Sequence, residues 1–153
     1  YLVLTIIKYK SLYFCFINAS LMAIDRSISS RPREVVYFFY FPVDTVDNGT
    51  IYMFMAQDDY SQKAFSLYTA HEFSVKEVCT AVLNLMLDKD FSTKERLPFV
   101  LIIEEELAEF ETEISQLISA YNGSVVINQQ LLENNTQDLM GYLLERFSQK
   151  YGK

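Results

Sequence analysis

The first sustained apolar run follows a polar, proline-containing stretch from Ser27 to Arg33 and covers Val35 to Phe41 (VVYFFYF). It is too short for a helix and rich in β-branched and aromatic residues, which predicts a central strand that Pro42 ends. Asp47-Asn48-Gly49 supplies turn chemistry, and Thr50 to Gln57 (TIYMFMAQ) predicts a second strand closing a hairpin. A turn over Asp58 to Gln62 leads to a third short strand, Ala64 to Ala70, so the chain begins with an antiparallel meander. From Ser74 the period changes. Ser74 and Glu77 make a capping box, and Val75, Val78, Cys79, Val82 and Met86 follow helical spacing to about Asp88. Leu97 to Ile103 (LPFVLII) has the length and flanks of a strand buried on both faces. Leu107, Phe110, Ile114, Leu117, Ile118 and Tyr121 then mark a second amphipathic helix closed by Asn122-Gly123. A short strand over Val125 to Ile127 precedes a last helix carrying Leu139, Met140, Leu143, Leu144 and Phe147.

The predicted order is β-β-β-α-β-α-β-α, an α/β chain whose fourth and fifth strands need parallel partners and right-handed crossovers. Val35 to Phe41 and Leu97 to Ile103 belong side by side at the sheet centre. Residues 1–30 are expected to be an N-terminal extension and residues 31–153 the folded domain. Lys8 and Lys10 interrupt the apolar residues 1–24 and break both a membrane span and a signal peptide. The composition of this segment, followed by Met22, suggests Met22 as the natural start.

Composition narrows the function. A chain of 153 residues, half of them hydrophobic, can bury a core, and its few Gly and Pro argue against a linker-rich protein. The net charge of -7 opposes freestanding nucleic-acid binding, which draws its affinity from Lys and Arg. Much of the acidity is local, with Glu104, Glu105, Glu106, Glu109, Glu111 and Glu113 crowding one stretch that is expected to be a solvated helix face. Cys15 and Cys79 lie far apart without a metal-ligand pattern, and His71 has no nucleophile pattern near it, so neither zinc nor a catalytic triad is indicated. Asn-x-Ser/Thr triplets at Asn18, Asn48, Asn122 and Asn134 matter only in a secretory pathway, and the expected location is cytoplasmic.

Three segments resemble the catalytic core of retroviral integrases and insertion-sequence transposases. Ile51 to Ser61 (IYMFMAQDDYS) is similar to that family's second strand with its Asp-aromatic-Ser exit, and Ser74 to Leu87 to its following helix. Ile102 to Phe110 (IIEEELAEF) resembles the family's Ile-x-x-Asp-Asn-Gly-x-x-Phe strand end. The resemblance covers roughly residues 31–148 and implies a ribonuclease-H-like fold with a five-stranded mixed sheet flanked by helices. It also implies a site in which three carboxylates hold two divalent cations for DNA integration.

On this alignment the triad positions are Tyr40, Glu105 and, with a three-residue shift from Gly141 where the family spacing lands, Asp138. Tyr40 is no hard anionic ligand at neutral pH, Glu105 adds a methylene to the expected Asp, and Glu106 and Leu107 stand where the family has Asn and Gly. Asp44 is the nearest substitute for the first position, although a solvated turn explains it as well; Asp138 is equally well explained by a helix start. The resemblance therefore implies a mobile-element integrase or transposase core with no intact catalytic set, a pseudoenzyme. No cofactor is expected, and Mg²⁺ or Mn²⁺ enters only with residual activity, at Asp44, Glu105 or Asp138. Arg146 and Lys150 alone are basic on the final helix, so DNA contact is expected to be weak or absent. A homodimer, or pairing with an active integrase or transposase, is the expected partnership, with no membrane contact; a protein-interaction or oligomerisation module on the same fold is the alternative.

Overall fold

The computed structural model describes residues 28–45, 49–92 and 95–130. Strands β1 (Val35–Thr45), β2 (Gly49–Asp58) and β3 (Ala64–Ala70) are followed by helix α1 (Val75–Leu87) and strand β4 (Phe99–Ile103). A 3-10 segment (Glu105–Phe110) then runs into helix α2 (Glu111–Ser119), and strand β5 (Gly123–Ile127) follows. The sheet order is β3-β2-β1-β4-β5. β1 to β3 pair antiparallel, while β1 and β4 pair parallel, as do β4 and β5. The apolar runs over Val35 to Phe41 and Leu97 to Ile103 are therefore neighbours at the sheet centre. The predicted last helix, with Asp138, lies outside the described residues.

Alternation along the strands divides the core in two. Val36 and Phe38 of β1, Phe54 and Ala56 of β2, and Leu101 and Ile103 of β4 face α1 and α2, where Val78, Val82, Leu85, Ile114 and Ile118 complete a buried cluster. Val35, Tyr37, Phe39 and Phe41 point to the opposite face with Met53, Met55 and Ile102. Both faces of β1 are thus apolar, which is why its sequence is a continuous run rather than an alternation. Val100, Phe110 and Leu117 are only partly buried at the margins of these clusters.

Pro42 does not end β1. The strand passes through it, pairing Pro42 with Tyr52 and continuing to Thr45 opposite Gly49. The odd residues of β1 direct their main chain to β2, as when Val35 O accepts from Asp59 N, while the even ones face β4, as when Glu34 O accepts from Val100 N. Pro42 is even, and β4 has already finished at Ile103, so the N–H that proline lacks would have met no strand.

Ser74 caps α1, its hydroxyl accepting from Glu77 N, but the Glu77 carboxylate accepts from the Tyr68 hydroxyl and so fastens the helix to β3. Strand β4 starts after Pro98, two residues later than its apolar run. The second helix opens as a 3-10 segment that buries Leu107, and Asn122 rather than Gly123 adopts the left-handed conformation beyond α2, at φ 66°. Gly123 serves another purpose, because a Cβ there would collide with the Phe99 ring.

Candidate functional site

Parallel pairing of β1 with β4 ends at Phe38 opposite Ile103, so the next residues of both strands emerge at one end of the sheet. Tyr40 stands there on β1, its ring 4.9 Å from that of Phe73 and 6.3 Å from that of Phe54. Phe73 also meets Tyr52 at 5.4 Å and Phe110 at 5.6 Å, which makes an aromatic cluster over the strand ends. The Tyr40 backbone N–H faces the side where β4 has stopped. Glu104 Oε1 accepts from it at 3.1 Å, filling with a side chain the place of a further strand carbonyl.

Burial first, then the neighbouring Glu106 and Glu104 carboxylates, push the Tyr40 hydroxyl up to about 12. Each of these favours the neutral phenol, because low polarity and adjacent negative charge both oppose a phenolate. Glu105 is exposed, and its backbone N–H donates to Gln129 Oε1 at 3.2 Å. The carboxylates beside Tyr40 are thus Glu104 and Glu106, on either side of the Glu105 that alignment selects. The apolar run followed by three glutamates signalled a carboxylate here, but which one turns inward depends on how the chain leaves β4.

Asp44 lies elsewhere. It sits one residue before the end of β1, beside the connection to β2, exposed, and accepts from Thr50 Oγ1 at 2.7 Å. It lies four residue steps along the strand from Tyr40, roughly 13 Å. Asp138 lies outside the described residues. His71 is exposed in the bend after β3, and Cys79 is half-buried on α1 with its thiol pushed up by burial and then by Glu113.

The two acids of the Asp-Asp-Tyr-Ser exit are structural clamps. Asp58 is buried and accepts from Arg33 N at 2.7 Å and from Ser61 N at 3.0 Å, closing the turn after β2. Asp59, also buried, accepts from Ile28 N and Ser29 N, each at 2.8 Å, from Ser29 Oγ at 2.6 Å and from the Tyr37 hydroxyl at 2.8 Å. Burial alone would raise its pKa, yet the hydrogen bonds from Ser29, Tyr37 and Ile28 outweigh it and hold the carboxyl below its usual range. Nothing in the spacing of the sequence pointed to this lashing of residues 28–29 onto the sheet.

Among the described residues no three His, Cys, Asp or Glu side chains are grouped so as to hold a metal ion. The residues at the strand ends also fit a pair of divalent cations poorly. The neutral phenol of Tyr40 stands at the residue that alignment assigns to the first carboxylate, and Glu104 already accepts from the Tyr40 N–H. Among the described residues no helix is long and apolar enough to cross a membrane.

No protein-family model and no curated protein matches the chain. Among solved structures it is similar to the HTLV-2 integrase catalytic core domain in complex with magnesium. The dimeric form matches at 12% identity and a TM-score of 0.58 over 84% of this chain and 79% of that one. The trimeric form matches at 12% and 0.59 over 82% and 78%. A chain of the simian T-cell lymphotropic virus intasome, solved in complex with PP2A regulatory subunit B56 gamma, matches at 11% identity and 0.59 over 80% of this chain, which spans 43% of that chain's length. Identities this low speak to architecture alone, and the architecture of this chain is an integrase-like catalytic-core fold: a mixed five-stranded sheet with helices packed on it.

Proposed function

We propose that this chain is an integrase-like core domain of a mobile element, ribonuclease-H-like in class, that does not itself carry out strand transfer. The observation that carries the reading is Tyr40. It occupies the end of β1 beside the exit of β4, where the resemblance calls for the first metal-binding carboxylate, and it is held neutral within an aromatic cluster. Two-metal phosphoryl transfer needs anionic oxygens there to bring two cations together and activate the attacking oxygen. A phenol with a pKa of about 12 supplies none at neutral pH. The net charge of -7 supports the same reading, since it disfavours unassisted contact with DNA.

The test is a strand-transfer and end-processing assay on DNA with Mg²⁺ or Mn²⁺, alongside calorimetric titration of either ion. The expected result is no product. Metal-dependent cleavage abolished by Glu104→Ala or Glu105→Ala would overturn the proposal.

A role in pairing is favoured by one feature of α1. Val75, Leu83 and Leu87 are 41%, 38% and 62% exposed, spaced in multiples of four along one side of the helix with half-buried Cys79 between them. An apolar stripe of this kind suits contact with a second copy or with an active relative. Sedimentation of wild type and of Leu83→Glu/Leu87→Glu tests it: loss of a dimer in the variant supports pairing through α1, and a monomeric wild type that captures no active integrase core sinks it.

A further inference from the structure

At the end of the sheet opposite Tyr40, a cleft of about 340 Å³ opens between the residues before β1, the residues before β4 and the loop after α2. Arg31, Arg33 and Arg96 line it together with Glu95, and Met86, Phe99 and Tyr121 contribute apolar wall. Three guanidinium groups in one concavity are unexpected on a chain of net charge -7.

Their hydrogen bonds go to neutral groups. Arg31 Nη2 donates to the Pro98 carbonyl, and Arg33 Nη1 donates to the carbonyls of Asp90 at 2.9 Å and Phe91 at 3.2 Å. The Arg96 guanidinium lies over the Tyr121 ring, 5.6 Å from its centroid. Among the described residues the one ion pair joins Lys63 to Asp90, so none of the three arginines is paired there. Two acids stand near them with hydrogen bonds of their own, Asp90 to Lys63 and Glu34 to the Ser30 N–H, the Ser30 hydroxyl and the Arg31 N–H, and the charges of Arg33 and Arg31 also act on Asp90 and Glu34 respectively. Opposing the arginines are Glu95, the Glu34 carboxylate beside Arg31 and the C-terminal ends of α1 and α2, each helix end worth about half a negative charge, so the cleft is about neutral overall and attracts an anion through its guanidinium donors rather than through net charge. Every guanidinium keeps N–H donors beyond those these bonds use.

We infer that this cleft binds a small organic phosphate of mononucleotide size, its phosphate held by Arg31, Arg33 and Arg96 and its body against Met86, Phe99 and Tyr121. Guanidinium forks match phosphate oxygens in bidentate fashion. The volume lies at the lower end of small-molecule sites, about 300–1,000 Å³. A confined concavity on an acidic chain suits one phosphorylated molecule better than a nucleic-acid strand, whose successive phosphates the surrounding charge would repel. The inference is independent of the reading of Tyr40, which lies at the other end of the sheet.

Calorimetric titration of the full chain with a nucleoside monophosphate, the matching nucleoside, inorganic phosphate and a short single-stranded oligonucleotide tests it. The monophosphate is expected to bind more tightly than inorganic phosphate, the nucleoside not measurably, and added salt should weaken the binding. Arg31→Gln with Arg96→Gln should weaken it by at least about tenfold, the scale of one lost charge-assisted contact. Glu95→Gln should tighten it, and Lys76→Gln on the exposed start of α1 should leave it unchanged. Arg33 is spared because its φ of 61° and its two carbonyl contacts hold the turn before β1. Equal binding by the arginine variant, equal affinity for nucleoside and monophosphate, no binding at all, or tighter binding of the oligonucleotide would each overturn the inference. If the arginine variant does not fold, Glu95→Gln decides alone, since an unchanged or weaker affinity contradicts an anion held in this cleft.

Discussion

Replacing Tyr40 by aspartate puts a carboxylate where the sequence resemblance to integrase cores implies one, and its cost can be worked from the neighbours. The ring is lost from its contacts with Phe73 at 4.9 Å and Phe54 at 6.3 Å, and the new charge faces Glu104 and Glu106. Two aromatic pairs at roughly 0.5–1.5 kcal/mol each, with the lost burial, come to roughly 2–5 kcal/mol. In a domain of this size that lowers Tm by roughly 5–15 °C. A divalent cation that bridges the introduced carboxylate and Glu104 relieves the repulsion, and at a hundredfold excess over Kd it returns about 2.7 kcal/mol. Thermal melts across a Mn²⁺ series should therefore show the variant recovering roughly 5–10 °C while wild type responds less. Adding Glu104→Gln should abolish the recovery, whereas adding Glu105→Gln should leave most of it. Identical Mn²⁺ responses in wild type and the Tyr40→Asp variant would mean that Tyr40 does not stand at a ligand position. Recovery that depends on Glu105 instead of Glu104 would mean that the strand exit has been misread.

Asp59→Asn should destabilise by about 1–3 kcal/mol near neutral pH, because a neutral amide removes the charge that strengthens the bonds from Ile28 and Ser29 and presents a donor in place of one of the two acceptor oxygens, the other of which serves the Tyr37 hydroxyl. The folded pKa of Asp59 is depressed, so its contribution is present above the ordinary aspartate range and lost as pH falls through the folded value. Urea melts across acid pH should accordingly show the gap between wild type and variant closing on acidification; a constant gap would mean that the carboxylate's charge is not what the clamp uses. Phe54→Ala, at a side chain 1% exposed between Phe38 and Tyr68, should cost about 3–5 kcal/mol by chemical denaturation. Gly123→Ala should cost about 1–3 kcal/mol although it is a single methyl, because Phe99 must yield; a neutral result would show that the ring moves freely.

Much of the fold was legible because its signals are local. The β-branched and aromatic run over Val35 to Phe41, the matching run of β3 and the Ser74 cap each reflect a preference that a few neighbouring residues settle among themselves. The meander and the parallel centre then followed from element order and the handedness of crossovers. The end of β1 was misjudged for the complementary reason. Proline stops a strand only where its missing N–H was needed, and whether it is needed depends on a neighbouring strand contributed by residues about sixty positions away.

The site divides along the same line. Residue identity alone settled that Tyr40 cannot offer an anionic ligand, because that is a property of a phenol wherever it stands. Alignment could choose Glu105 among three consecutive glutamates, but only the departure of the chain from β4 into a 3-10 segment decided that Glu104 accepts from Tyr40 N while Glu105 faces solvent. The Asp59 clamp and the arginine cleft left no pattern in the sequence either, since each assembles groups from separate segments, those of the cleft lying before β1, on α1, before β4 and after α2. Composition and periodicity determined the strands and helices seen among the described residues, each of which depends on one short stretch. The partner of each polar side chain was decided by the tertiary structure, because a hydrogen bond or a shared cleft requires distant segments to be brought within a few ångströms, and only the packing of both faces of the sheet sets that register.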